Sequence, residues 1–135
     1  MSAPLLARLF GGGMLACLTG MALAAGGSLA GDPKAGKAIY DRCLACHALA
    51  YDRTGPRHCG LFGRRAGSVK GFVYSQAMKR ARIVWNEKTL NRFLANPMKA
   101  VPGTTMGYAG IPDNQERANL IAYLKQANRS AVCGK

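Results

Sequence analysis

Cys43-Leu44-Ala45-Cys46-His47 is the stretch from which the rest of the chain can be read. Two thiols separated by two residues, followed at once by an imidazole, form the pattern of covalent haem attachment. Each sulfur takes one vinyl group and the histidine ligates the iron. Two other chemistries use such a pair. A zinc half-site needs a second close pair of ligands, and the candidates in the body of the chain are His58, Cys59 and Cys133. A thiol-disulfide redox pair belongs in a βαβ setting, and nothing near Cys43 reads as a strand. Haem attachment is the reading the motif favours.

The length of 135 residues allows one small domain. Its N-terminus reads as a targeting segment. Arg8 is followed by an uncharged, apolar, glycine-spaced run from Leu9 to Gly31, and Ala22 and Ala24 stand where a signal peptidase needs small residues. The expected organisation is a cleaved signal over residues 1–25 and a mature domain over 26–135. The alternative is an uncleaved membrane anchor, since the uncharged run is long enough to span a bilayer. A body of about 110 residues buries an adequate but not generous core, to which a haem would add a large apolar filler.

Export implies an oxidising compartment and changes how the cysteines are counted. Cys17 lies in the signal, and Met14-Leu15-Ala16 before it is a poor lipoprotein box. With Cys43 and Cys46 assigned to haem, Cys59 and Cys133 remain as an even pair, expected to form a disulfide. Two free thiols are the alternative, because spacing alone does not bring two Cα atoms together.

The formal net charge of +13 favours acidic or anionic partners. Removing residues 1–25 takes away only Arg8. Nucleic acid is disfavoured: the basic residues are dispersed and no aromatic-basic recognition motif accompanies them. Charge of this kind steers encounter with an acidic protein surface.

Along the mature domain, Asp32 and Pro33 start a helix on which Ala35, Ile39, Tyr40 and Cys43 recur at helical spacing. Gly36 within it costs roughly 1 kcal/mol against alanine, so a close helix crossing is expected there. From Ala48 to Gly71, repeated glycines without a sustained period predict connected turns, a long irregular stretch of the kind that is usually functional. Ser75 to Arg80 reads as a short helix. Asn86 caps another, with Leu90, Phe93 and Leu94 on one face and Pro97 as its stop. Val101 to Met106 is a rigid loop. Asp113 and Glu116 form a capping-box-like start to a last helix ending near Ala127, with Leu120, Ile121 and Leu124 as its apolar stripe.

Six ordered blocks carry a resemblance over Asp32 to Ala127. They are Cys43 to His47, Gly55-Pro56 with Gly60 to Gly67, Gly71 to Ser75, Ile83-Val84-Trp85, Asn96-Pro97 with Val101 to Met106, and Leu120 to Leu124. With them the chain resembles the class I c-type cytochromes, the small soluble electron carriers of bacteria and mitochondria. The resemblance implies an all-α cytochrome c fold, with crossed N- and C-terminal helices and loops wrapping one covalent haem c. Gly36 and Tyr40 would meet Tyr123 and Leu124 at the crossing. His47 and Met106 would be the axial iron ligands, although without the resemblance Met106 reads rather as an ordinary core methionine. Pro56 would supply the carbonyl that receives the imidazole N–H, a bond that fixes the ring and tunes its basicity. Arg64, Tyr74, Trp85 and Thr104 match positions that contact the haem propionates; each could instead be ordinary, Arg64 a solvated charge and Tyr74 and Trp85 core aromatics.

Some positions depart from the family pattern. Phe93 stands where mitochondrial-type proteins usually have tyrosine, so a hydroxyl bond to the methionine sulfur is ruled out. Met78 replaces a usual polar residue of the crevice. His58 lies where an apolar side chain is common and is expected to be a loop histidine with a local hydrogen bond. Met98 and Thr105 occupy positions flanking the methionine loop that often hold lysine, so basic steering would fall to residues such as Lys34, Lys37, Lys70 and Lys79.

The function implied is a periplasmic one-electron shuttle, not an enzyme, because an iron with both axial positions filled leaves no open site for substrate. Its partners would be redox proteins with acidic docking surfaces: a respiratory oxidase, a bc1-type complex or a periplasmic dehydrogenase. A monomer is expected, touching the membrane only through such partners.

Overall fold

The Asp32 carboxylate accepts the Lys34 N–H at 2.8 Å and Pro33 takes the first helical position, which together start helix α1, Pro33–Tyr40. This geometry comes from a computed structural model describing residues 29–134. The signal expected over residues 1–25, with Cys17, lies outside the described residues. The chain leaves α1 through a 3-10 turn, Asp41–Cys43, so Cys43 stands just past the α-helix.

Four further helices follow, each with its side-chain cap. Ser75 accepts the Met78 N–H at 3.1 Å to start α2, Gln76–Arg80. Asn86 and Thr89 exchange bonds at 2.9 Å in a full capping box at α3, Glu87–Ala95. Pro97 ends α3 as expected, and it also opens a further short helix. The Asn96 side chain accepts the Lys99 N–H at 2.9 Å and Pro97 sits at the first position of α4, Pro97–Ala100. Helix α5 is Asn114–Ala127, capped by Asp113 on the Glu116 N–H at 2.7 Å. The return half of that capping box is absent. The Glu116 carboxylate instead pairs with both terminal nitrogens of Arg42 at 2.9 and 3.0 Å, tying α5 to the turn before Leu44.

Helices α1 and α5 cross at Gly36. A Cβ there would overlap the Asn119 carbonyl and lie 2.8 Å from the Tyr123 Cβ, so only glycine permits this approach. Beside it, the Tyr40 and Tyr123 rings lie 5.2 Å apart. Ile39, Leu120, Ile121 and Leu124 join Leu90, Phe93 and Leu94 of α3 in one buried cluster. The buried Arg117 fastens α5 to α3 through Asn91 Oδ1 at 2.8 Å and holds the Ile111 and Pro112 carbonyls at 2.6 and 2.8 Å.

Among the described residues there is no strand. A single antiparallel bridge, Arg65 with Val84, pins the long turn region to the segment before α3. The same region is tied to the C-terminus. Cys59 and Cys133 are joined by a disulfide with Cα atoms 5.2 Å apart, and Asn128 accepts the Leu61 N–H at 3.1 Å while donating to the His58 carbonyl at 3.0 Å. The architecture is all-α, with crossed terminal helices and the long loops gathered around one cavity.

Candidate haem site

Hydrogen bonds from the Cys46 and His47 N–H groups to the Cys43 carbonyl, at 3.1 and 2.9 Å, coil the motif into one turn. Cys43 is half-buried and Cys46 exposed. Both line a cavity of about 520 Å³ together with His47 and, from the loop after α4, Met106. That volume lies within the range of small-molecule and cofactor sites. A larger groove of about 960 Å³ beside Leu29, between α3 and α5, contains none of these donors.

His47 is buried and its ring is fixed. Its Nδ1 lies 2.8 Å from the Pro56 carbonyl oxygen. A carbonyl only accepts, so Nδ1 carries the proton and Nε2 keeps the lone pair that a metal requires. Burial pushes the His47 pKa down, opposed by the Pro56 bond. Gly55 lies against the same ring: a Cβ on it would sit 2.6 Å from both ring nitrogens. From sequence Gly55 reads as a turn former within the Gly55-Pro56 block of the resemblance; its contact with the imidazole leaves no mark in the local pattern.

The second histidine is closer to the site than the sequence suggests. His58 stacks on His47 with ring centroids 4.4 Å apart and planes 21° from parallel. Its Nδ1 is hydrogen-bonded to the Tyr40 hydroxyl at 3.0 Å, so its partner is on α1 and not in its own loop. Burial, reinforced by His47 and Arg64, lowers the His58 pKa to about 3. Burial, aided by Cys46 and opposed by Arg42, raises the Cys43 thiol to about 11.

Met106 is held by Thr104, whose hydroxyl accepts the Met106 N–H at 3.2 Å while the Thr104 N–H donates to Val101 at 3.0 Å. Gly103, at φ +87°, makes the turn that this loop needs. Arg64 is committed to the loop, donating to the Cys59 and Arg57 carbonyls at 3.0 and 2.9 Å, while its side chain lines the cavity. The Tyr74 hydroxyl accepts the Val69 N–H at 3.4 Å. Trp85 is buried edge-on to Phe93, with ring centroids 5.0 Å apart. Pro56, Arg64, Tyr74, Trp85 and Thr104 are thus all brought to one cavity.

This donor set fits a covalent haem. Two thiols stand beside an imidazole whose lone-pair nitrogen is fixed, and a thioether shares the cavity. Cys59 and Cys133, which a zinc site would need as further ligands, are bonded to each other. Leu90, Phe93, Leu94 and Leu120 supply apolar walls, and Arg64 a cation for carboxylates.

The family model described as Cytochrome c matches residues 33–128. Cytochrome c of Tetrahymena pyriformis is 54% identical over 97 residues, which cover 70% of this chain and 88% of that protein. Cytochrome c2 of Blastochloris viridis is 40% identical over 100 residues, covering 72% of this chain and 79% of its own. Among solved structures, cytochrome cH from Methylobacterium extorquens superposes with a TM-score of 0.69 at 38% identity, over 71% of this chain and 99% of that one.

Proposed function

Because this chain belongs to the cytochrome c family and carries electrons between redox proteins on one covalently attached haem c, we propose that it is a periplasmic shuttle ligating its iron through His47 and Met106. The observation carrying this reading is the 2.8 Å bond from His47 Nδ1 to Pro56, which leaves Nε2 free for a metal in the cavity that Met106 also lines. When bound, the haem supplies a one-electron ferric–ferrous couple.

The chain's own residues hold, orient and shield. Cys43 and Cys46 would anchor the group through thioether bonds. Pro56 keeps His47 in one tautomer and one orientation. The Thr104 hydroxyl ties down the loop carrying Met106, whose thioether would be the second side chain to hold the iron. Leu90, Phe93 and Leu94 exclude water, and Arg64, with Tyr74, Trp85 and Thr104, would receive the propionates. With His47 and Met106 both committed to the iron, substrate would have no place at the metal, which supports a carrier rather than an enzyme.

Residues 1–25 are proposed as the export signal and 26–135 as the carrier domain. No helix among the described residues is long and apolar enough to cross a membrane. The partners proposed are acidic faces of an oxidase, a bc1-type complex or a periplasmic dehydrogenase, met by a basic monomer. Acid extraction followed by a redox titration tests this reading. Haem retained on the polypeptide with a single reversible one-electron wave is expected; haem released into solvent would overturn it.

A further inference from the structure

We infer, on the reading of His47 as an iron ligand, that His58 is a positioning residue for it: a second, stacked imidazole that holds the plane of the ligand ring and thereby takes part in setting the redox properties of the site. The rings are stacked, 4.4 Å between centroids with planes 21° from parallel, and not edge-on, the other arrangement that aromatic pairs prefer. Rotation of His47 about the axis through its metal-binding nitrogen would break the stack.

His58 is itself anchored through its backbone N–H, its carbonyl and its Nδ1. Its N–H reaches the Ala48 and Leu49 carbonyls, each at 3.1 Å. Its carbonyl accepts from Leu61 at 3.1 Å and from the Asn128 side chain at 3.0 Å. The next residue, Cys59, is bonded to Cys133. Its Nδ1 is bonded to the Tyr40 hydroxyl from α1. The helix crossing at Gly36 and Tyr40 therefore communicates with the ligand ring through two contacts, Tyr40 to His58 and His58 to His47.

An aliphatic side chain at position 58 would fill the volume but offer neither a flat face to His47 nor a partner to the buried Tyr40 hydroxyl, which would be left unpaired. A role in packing alone would show only as lost stability. A role in positioning must also reach the metal's electronic structure, because the plane of an axial imidazole influences the ferric g-values and the pattern of haem-methyl shifts, and its hydrogen-bonded neighbours tune ligand basicity.

The test uses holoprotein of His58→Leu, His58→Phe and Tyr40→Phe, measuring ferric electron paramagnetic resonance, haem-methyl NMR shifts, reduction potential and denaturation midpoint. His58→Leu should shift the g-values, the methyl pattern and the potential. His58→Phe, which keeps the flat face, should retain g-values near those of the parent, and Tyr40→Phe should move them in the direction of His58→Leu by less. A His58→Leu protein with a lowered midpoint but unchanged g-values, methyl shifts and potential overturns the inference. If His58→Leu does not mature, the near-isosteric Tyr40→Phe decides, and unchanged g-values and potential there overturn it equally. A parent protein lacking low-spin imidazole ligation would instead overturn the assignment of His47 itself.

Discussion

The imidazole of His47 donates its Nδ1 proton to the Pro56 carbonyl at 2.8 Å, so the tautomer of the proposed ligand is fixed before any metal arrives. The Gly55-Pro56 pair does two jobs at this ring: Pro56 supplies the acceptor and Gly55 supplies the space.

Gly55→Ala should displace the ring, because its Cβ would lie 2.6 Å from both ring nitrogens. Overpacking a fixed group of this kind costs about 1–3 kcal/mol. A lowered denaturation midpoint, together with an altered ferric spectrum, is the expected outcome; a protein unchanged in both would show that the ring has room to move.

Cys133→Ser should destabilise the protein by about 4 kcal/mol. The disulfide spans 74 residues of sequence, and the chain-entropy model gives about that value for so long a loop. Denaturant titration of oxidised and reduced protein reads it directly. Its loss should also loosen the segment that carries His58.

Phe93→Tyr adds a hydroxyl to the cavity wall. Phe93 is buried and lines the cavity with Met106, so the new hydroxyl should find the methionine sulfur or remain an unsatisfied polar group. A change in reduction potential measured by voltammetry is expected. An unchanged potential would remove Phe93 from the residues that tune the site.

Electron transfer to an acidic partner should slow as salt rises, given a net charge of +13. Raising ionic strength from 0.01 to 0.15 M shortens the screening length from about 30 to about 8 Å, and electrostatic steering is worth on the order of tenfold or more in association rate. Stopped-flow rates flat across that range would contradict steering.

Helix starts were legible where the chemistry is local: Asp32, Ser75, Asn86 and Asp113 each cap the helix that follows. The misses are non-local or double-valued. Pro97 reads as a stop, yet the same fixed φ and missing N–H that end α3 also start α4. Glu116 stands at the capping-box spacing, but Arg42, 74 residues away in sequence, competes for its carboxylate and wins with two charge-assisted bonds. At the site, the motif and the family resemblance named the residues that now share a cavity. The stacking of His58 on His47 was not legible, because its anchor is Tyr40, eighteen positions earlier on a different element.

The ferric absorption spectrum of the holoprotein, recorded beside Met106→Ala, tests the central claim most directly. A closed site with His47 and Met106 as ligands predicts a low-spin ferric spectrum with the weak far-red methionine-sulfur band, and loss of that band in Met106→Ala. A high-spin ferric parent, or a far-red band that survives Met106→Ala, would contradict it.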